Sequence, residues 1–174
     1  HGHNFGTDSS LITDVRYSQT DKPDVVFATT CTIVEDHVTL SCATVPGAGT
    51  NLEWRLSVDG QASTTALTQY NVPTVTAVSL ASSASLAHPD GGEVVVITGT
   101  DFGPAPANDD DPVFVRADAV TYGPTGVEYA CANVVHISHT ELRCTTVPSF
   151  GDDLRFRVVV GTQESPVTEA GVGL

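Results

Sequence analysis

Methionine is absent from this 174-residue chain, tryptophan occurs once, and lysine and arginine together number only 7. Without a methionine, His1 reads as a mature terminus or, better, as an internal cut. Seven basic residues against 21 acidic ones leave a net charge of −14. Phosphate backbones and anionic headgroups repel such a surface, so neither nucleic acid nor a membrane surface is an expected partner. No apolar run approaches the roughly 20 residues of a membrane span, and no direct membrane insertion is expected of these residues. A secretory leader pattern is missing too, as it would be from an internal piece. No stretch has convincing helical periodicity. There is no G-x-S-x-G elbow, no P-loop and no G-x-G-x-x-G, so no catalytic residue and no cofactor is assigned and the chain is read as a non-enzyme. The N-x-[ST] acceptor for N-linked sugar is absent as well, while Ser63-Thr64-Thr65 and Ser82-Ser83 suit O-linked sugars by composition alone.

What the chain does have is valine, threonine, serine and glycine in abundance. β-Branched residues suit a pleated, half-buried surface and favour strands. The cysteines are Cys31, Cys42, Cys131 and Cys144, in two close pairs separated by 11 and 13 positions. Zinc sites favour C-x2-C knuckles, which these spacings do not match. Two disulfides, Cys31–Cys42 and Cys131–Cys144, and an oxidising compartment are the better reading.

An internal repeat decides the architecture. Cys42-Ala-Thr-Val-Pro46, Gly49, Leu52, Arg55 and Val58 recur 102 positions later as Cys144-Thr-Thr-Val-Pro148, Gly151, Leu154, Arg157 and Val160. Leu40 and Leu142 keep the same offset, whereas Val15-Arg-Tyr17 and Val120-Thr-Tyr122 are 105 apart. Gly2-His-Asn-Phe-Gly6 and Gly99-Thr-Asp-Phe-Gly103 are 97 apart, so insertions fall in the loops between anchors. The domains are accordingly placed at 1–72 and 73–174. The first lacks any counterpart of residues 73–98, about two strands, and is expected to be truncated at its N-terminus, with the natural protein continuing before His1. The junction at Tyr70-Asn71-Val72-Pro73 has no Gly/Ser-rich linker, which implies limited interdomain freedom.

Within the second repeat, strands are expected at Thr74–Leu80, Glu93–Thr98, Val113–Val115, Ala119–Tyr122, Tyr129–Val135, Glu141–Thr146 and Leu154–Val160, with Val167–Leu174 as a closing strand. Ala81–Gly92 and the acidic Pro104–Pro112 read as loops. Short strands with recurring turn signals describe an all-β chain of tandem immunoglobulin-like β-sandwiches. The bridges are local, and no tryptophan lies between the cysteines, which disfavours an antibody-type domain.

These motifs resemble the IPT/TIG domain family, the immunoglobulin-like folds of plexins, growth-factor receptors, transcription factors and large surface proteins. The resemblance rests on G-x-[ND]-F-G, on Leu-x-Cys-x-Thr-Val-Pro followed by Gly and Leu-x-x-Arg, and on Gly91-Gly92 leading into Glu93–Gly99. It covers Pro73–Leu174 and, less completely, Gly2–Val72. It implies fold and setting: extracellular stalks, spacers, adhesion modules and some ligand-binding or polysaccharide-accessory domains. The DNA-binding branch does not fit the charge.

Candidate ligand sites are few. Asp109, Asp110 and Asp111, next to Asn108 and with Asp152 and Asp153 as further oxygen donors, make a calcium candidate, although EF-hand spacing is absent. His136 and His139 form H-x-x-H, but residues three apart on a strand face opposite ways. Trp54 is the aromatic whose exposure would signal an interface. The expected role is a disulfide-stabilised spacer or assembly unit of a secreted or cell-surface fibre or coat, whose partners are neighbouring domains and other copies of the chain. The rivals are an adhesion or receptor ectodomain, marked by one unique apolar patch, and a glycan-binding module, marked by a row of exposed aromatics.

Overall fold

The computed structural model describes residues 1–20, 22–82, 84, 86–105 and 117–174, and among them there are strands and one short 3-10 turn but no α-helix. The acidic run Asp109–Asp111 and the expected strand Val113–Val115 lie outside the described residues. The chain forms two compact units, His1–Pro46 with Thr50–Gln69, and Gly47–Gly49 with Tyr70–Leu174.

In the first unit, β1 (Ile12–Gln19) pairs antiparallel with β2 (Lys22–Ala28) and β5 (Leu52–Val58). Two short strands, β6 (Gln61–Ala62) and β7 (Ala66–Thr68), also pair with β5. Period-two alternation on β1 turns Val15, Tyr17 and Gln19 inward. The partner layer is the hairpin of β3 (Cys31–Glu35) and β4 (Thr39–Cys42), in which Cys31 stands opposite Cys42.

The second unit is a fuller sandwich. One sheet has the order β11 (Tyr129–Ala130), β10 (Ala117–Gly123), β14 (Arg155–Val160), β15 (Gln163–Glu164). The other has the order β12 (Ala132–Ser138), β13 (Glu141–Thr145), β9 (Val94–Thr100), β8 (Thr74–Leu80). Between them Val95, Ile97, Leu142 and Cys144 meet Val120, Tyr122, Phe156, Val158 and Val160, none more than 1% exposed. Phe102 plugs the same core and is fully buried. Burial of each such large apolar side chain contributes about 1.5–3 kcal/mol.

The repeat extends to the backbone. Asn4 and Asp101, the [ND] of each G-x-[ND]-F-G, take φ of 66° and 62°. Asn51 and Asp153 match likewise, at 55° and 50°. Asn and Asp tolerate this left-handed region better than other side chains, which accounts for the residue choice. Gly99 has a different reason: a Cβ there would collide with the Thr74 carbonyl and the Phe102 ring.

The segment 167–174 is not a strand, contrary to the sequence expectation. Pro166 has no N–H to give, and side-chain hydroxyls take up the β14 amides. The Val158 amide donates to Ser165 Oγ at 3.0 Å and the Phe156 amide to Thr168 Oγ1 at 2.9 Å. The Ser165 and Thr168 amides in turn donate to the Val158 and Phe156 carbonyls at 2.8 and 2.9 Å, and at the end of the segment Leu154 and Leu174 exchange backbone hydrogen bonds of 2.7 and 3.1 Å.

Candidate functional surfaces

Each unit is closed by one disulfide, Cys31–Cys42 and Cys131–Cys144, and no free cysteine remains. Beside each bridge sits a tyrosine that sequence reasoning recognised as part of a repeat but to which it gave no task. Tyr17 Oη accepts from the Val45 amide at 2.9 Å. Tyr122 Oη accepts from the Val147 amide at 2.9 Å and donates to the Val147 carbonyl at 2.9 Å. Val45 and Val147 are the valines of the two Thr-Val-Pro turns, so a phenol from the facing sheet holds the turn after the second cysteine in both units. Aromatic packing repeats as well: Tyr17 stacks on Trp54 with centroids 4.3 Å apart, and Tyr122 on Phe156 at 5.2 Å.

His136 and His139 do not converge. Burial of His136 lowers its pKa below the ordinary value, and the ring donates from Nε2 to the Gly103 carbonyl at 3.1 Å. His139 is exposed, with Nε2 3.7 Å from Asp101 Oδ1. Asp153 is engaged by Arg155 at 3.6 Å and by the Gly171 amide at 2.8 Å. Among the described residues no group of three His, Cys, Asp or Glu side chains is placed to hold a metal.

The His136 geometry gives a pH prediction. Its folded pKa lies below the roughly 6.5 of a free imidazole, so the unfolded chain takes up the proton more readily. The stability contributed by the neutral ring is therefore complete above about pH 6.5 and declines as pH falls below it. The melting temperature of the second unit should drop between pH 7.5 and 5.5, and His136→Gln should drop less over that interval. An equal decline in both proteins would remove His136 as the cause. Glu128 acts in a separate window: a hydrogen bond from the Thr125 hydroxyl brings its pKa down to about 2.

Two surfaces stand out. Phe150 and Leu86 are 81% and 78% exposed and border a cavity of about 300 Å³, lined also by His88, Pro89, Asp152 and Leu174. Neither residue carries a signal that sets it apart in sequence, because an exposed and a buried phenylalanine read alike. The second cavity, about 310 Å³ in the first unit, is lined by Phe5, Trp54, Leu56 and Thr64. Trp54 is half-buried and donates from Nε1 to Thr68 Oγ1 at 2.7 Å.

A family model described as the IPT/TIG domain matches residues 73–171, more than half of the chain. The chain belongs to the IPT/TIG family. No curated protein and no solved structure matches it significantly. The IPT/TIG match begins at the proline that opens β8 and ends within the closing segment, so it spans both sheets of the second unit. IPT/TIG domains are a family of non-catalytic immunoglobulin-like modules. No helix among those residues is long and apolar enough to cross a membrane.

Proposed function

We propose that this chain is a non-catalytic spacer or assembly unit of a secreted or cell-surface protein, with its first unit a second, incomplete IPT/TIG domain. The observation that carries the reading is the paired design: each unit has its own local disulfide with a tyrosine clamped onto the turn beyond it. Disulfides persist in oxidising compartments. A bridge within each repeat stabilises that repeat by about 3 kcal/mol in the chain-entropy model, independently of its neighbours. Such units stack into rods whose contacts recur from repeat to repeat, with neighbouring domains and other copies as partners. The surface charge of −14 keeps adjacent rods apart in solution.

Immunogold labelling of intact, unpermeabilised cells and of their shed filaments tests this, with mass spectrometry of alkylated, non-reduced peptides from the same material. Regularly spaced label on an extracellular fibre and linked Cys31–Cys42 and Cys131–Cys144 are expected. Label confined inside the cell, or alkylated free thiols, would overturn the reading. The exposed Phe150–Leu86 patch favours a second reading, an adhesion or ligand-binding ectodomain, since apolar patches of this kind mark protein contacts.

A further inference from the structure

An antiparallel sheet with one solvated face alternates apolar side chains toward the core and polar ones toward water. The sheet β12-β13-β9-β8 of the second unit breaks this rule on its outer face. Val135 and Ile137 on β12 are 50% and 39% exposed, and Val94 on β9 is 43% exposed. The other exposed large apolar side chains described in that unit, Val72, Leu86, Val127 and Phe150, all lie on loops. The run Val94-Val-Val-Ile97 explains the excess. Val95 and Ile97 are fully buried in the core, while Val94 and Val96 stand on the opposite side of the strand. An apolar run without alternation is the pattern of a strand covered on both faces, and here one of the two is open.

Charge is sparse on the same face. Among Asp, Glu, Lys and Arg, the four strands hold only Glu141 and Arg143, in a chain whose net charge is −14. These two lie on β13, two positions apart and so on one side of it, with Arg143 Nε donating to Glu141 Oε1 at 2.7 Å. The register sets their neighbours. Arg143 stands between Val135 on β12 and Val96 on β9. Glu141 stands between Thr98 on β9 and the β12 irregularity at Ile137 and Ser138.

These two rows are complementary to each other. A two-fold axis lying in the face, running across the strands at the level of Leu142, exchanges them. It brings β13 over β13 of a second copy, Arg143 over Glu141, and Val135 over Ile137. We infer that the outer face of this sheet is where two copies of the chain meet, in an isologous pair with reciprocal Arg143–Glu141 contacts at its centre and Val135, Ile137, Val94 and Val96 covered around them. Copies with a charge of −14 repel one another, and this face lets them approach with opposite charges aligned. On the assembly-unit reading, which this inference presupposes, the face is the surface through which copies join.

Sedimentation velocity of the full chain, carried up to about millimolar concentration, should show reversible dimerisation. Arg143→Glu and Glu141→Arg should each weaken the dimer about tenfold or more, because each sets like charges opposite one another twice across the axis. An equimolar mixture of the two variants should dimerise again, since every acid of one copy then faces a base of the other. An exposed ion pair contributes little to stability, so both variants should melt close to the parent by circular dichroism. Val135→Asp, which places an uncompensated charge in the apolar part of the contact, should also dissociate the pair. A chain that stays monomeric throughout, a dimer that the three variants leave intact, or a mixture that does not recover would overturn the proposed face. A monomer with both bridges linked and label on an extracellular fibre would do so while leaving the spacer reading in place.

Discussion

Phe156→Ala is expected to lower the stability of the second unit by about 3–5 kcal/mol, the range for deleting a fully buried aromatic ring. At roughly 4–8 °C per kcal/mol for a domain of this size, that is a fall in melting temperature of about 12–40 °C. The ring is fully buried between the two sheets and stacks on Tyr122, so its removal leaves a void lined by Val120 and Val158 and loosens the phenol that holds the Val147 turn. Trp54→Ala, the matched substitution in the first unit, should cost less although the deleted ring is larger, about 1–3 kcal/mol, because that side chain is only partly buried. Differential scanning calorimetry of the two variants decides the matter. Equal losses would mean that the first unit's inner face is packed as tightly as the second's.

Removing the second bridge comes next in size. A Cys131→Ala, Cys144→Ala double variant should lose about 3 kcal/mol, the chain-entropy value for a loop of this length. The bridge ties Cys131, at the start of the β12 arm, to Cys144 on the adjacent strand β13 of the same sheet, a residue only 1% exposed to solvent. Guanidinium denaturation read by circular dichroism should show a lower midpoint with little change in slope. A loss below about 1 kcal/mol would place the stability of this unit in its packing alone, and would weaken the extracellular reading that the bridge supports.

The parts of this fold that were legible in sequence share one property: they are written in residues whose backbone or covalent needs are unusual. The Cys-x-Thr-Val-Pro stretches, the G-x-[ND]-F-G turns and the glycines after them recur in both repeats because each supports a bridge, a left-handed residue or a close approach. Strand β8 matches its expected limits, Thr74–Leu80, since Pro73 and the Ser/Pro/Asp/Gly loop punctuate it on both sides. The expected strand Tyr129–Val135 is instead two, β11 and β12, in different sheets with Cys131 between them. A continuous β-prone run gives no local sign that the chain changes layers. The segment 167–174 misleads for the converse reason. Val167 and Val172 suit a strand, but Ser165 and Thr168 hydroxyls occupy the β14 amides that a strand would need.

The surfaces were less legible than the framework. Trp54 is singled out by being alone, yet its half-burial follows from which strands face it, which no window of sequence around it records. The tyrosine clamps join positions 28 and 25 residues apart, and only the repeat hints that both phenols matter. Phe150 becomes a candidate only when the fold leaves it over an open cavity.

The shortness of the bridged loops has a mechanical corollary. Cys31–Cys42 and Cys131–Cys144 enclose 11 and 13 steps of the 174-residue chain, or about 40–45 Å of contour each at roughly 3.5 Å per residue. A pull on the two ends therefore meets two small fixed stitches in a thread that is otherwise free to run out almost to its full length. The stitches do little to limit reach. They keep the cysteine arms of each hairpin side by side through the extension, so that when tension falls, re-zipping begins from a closed loop and skips the slow search for first contact.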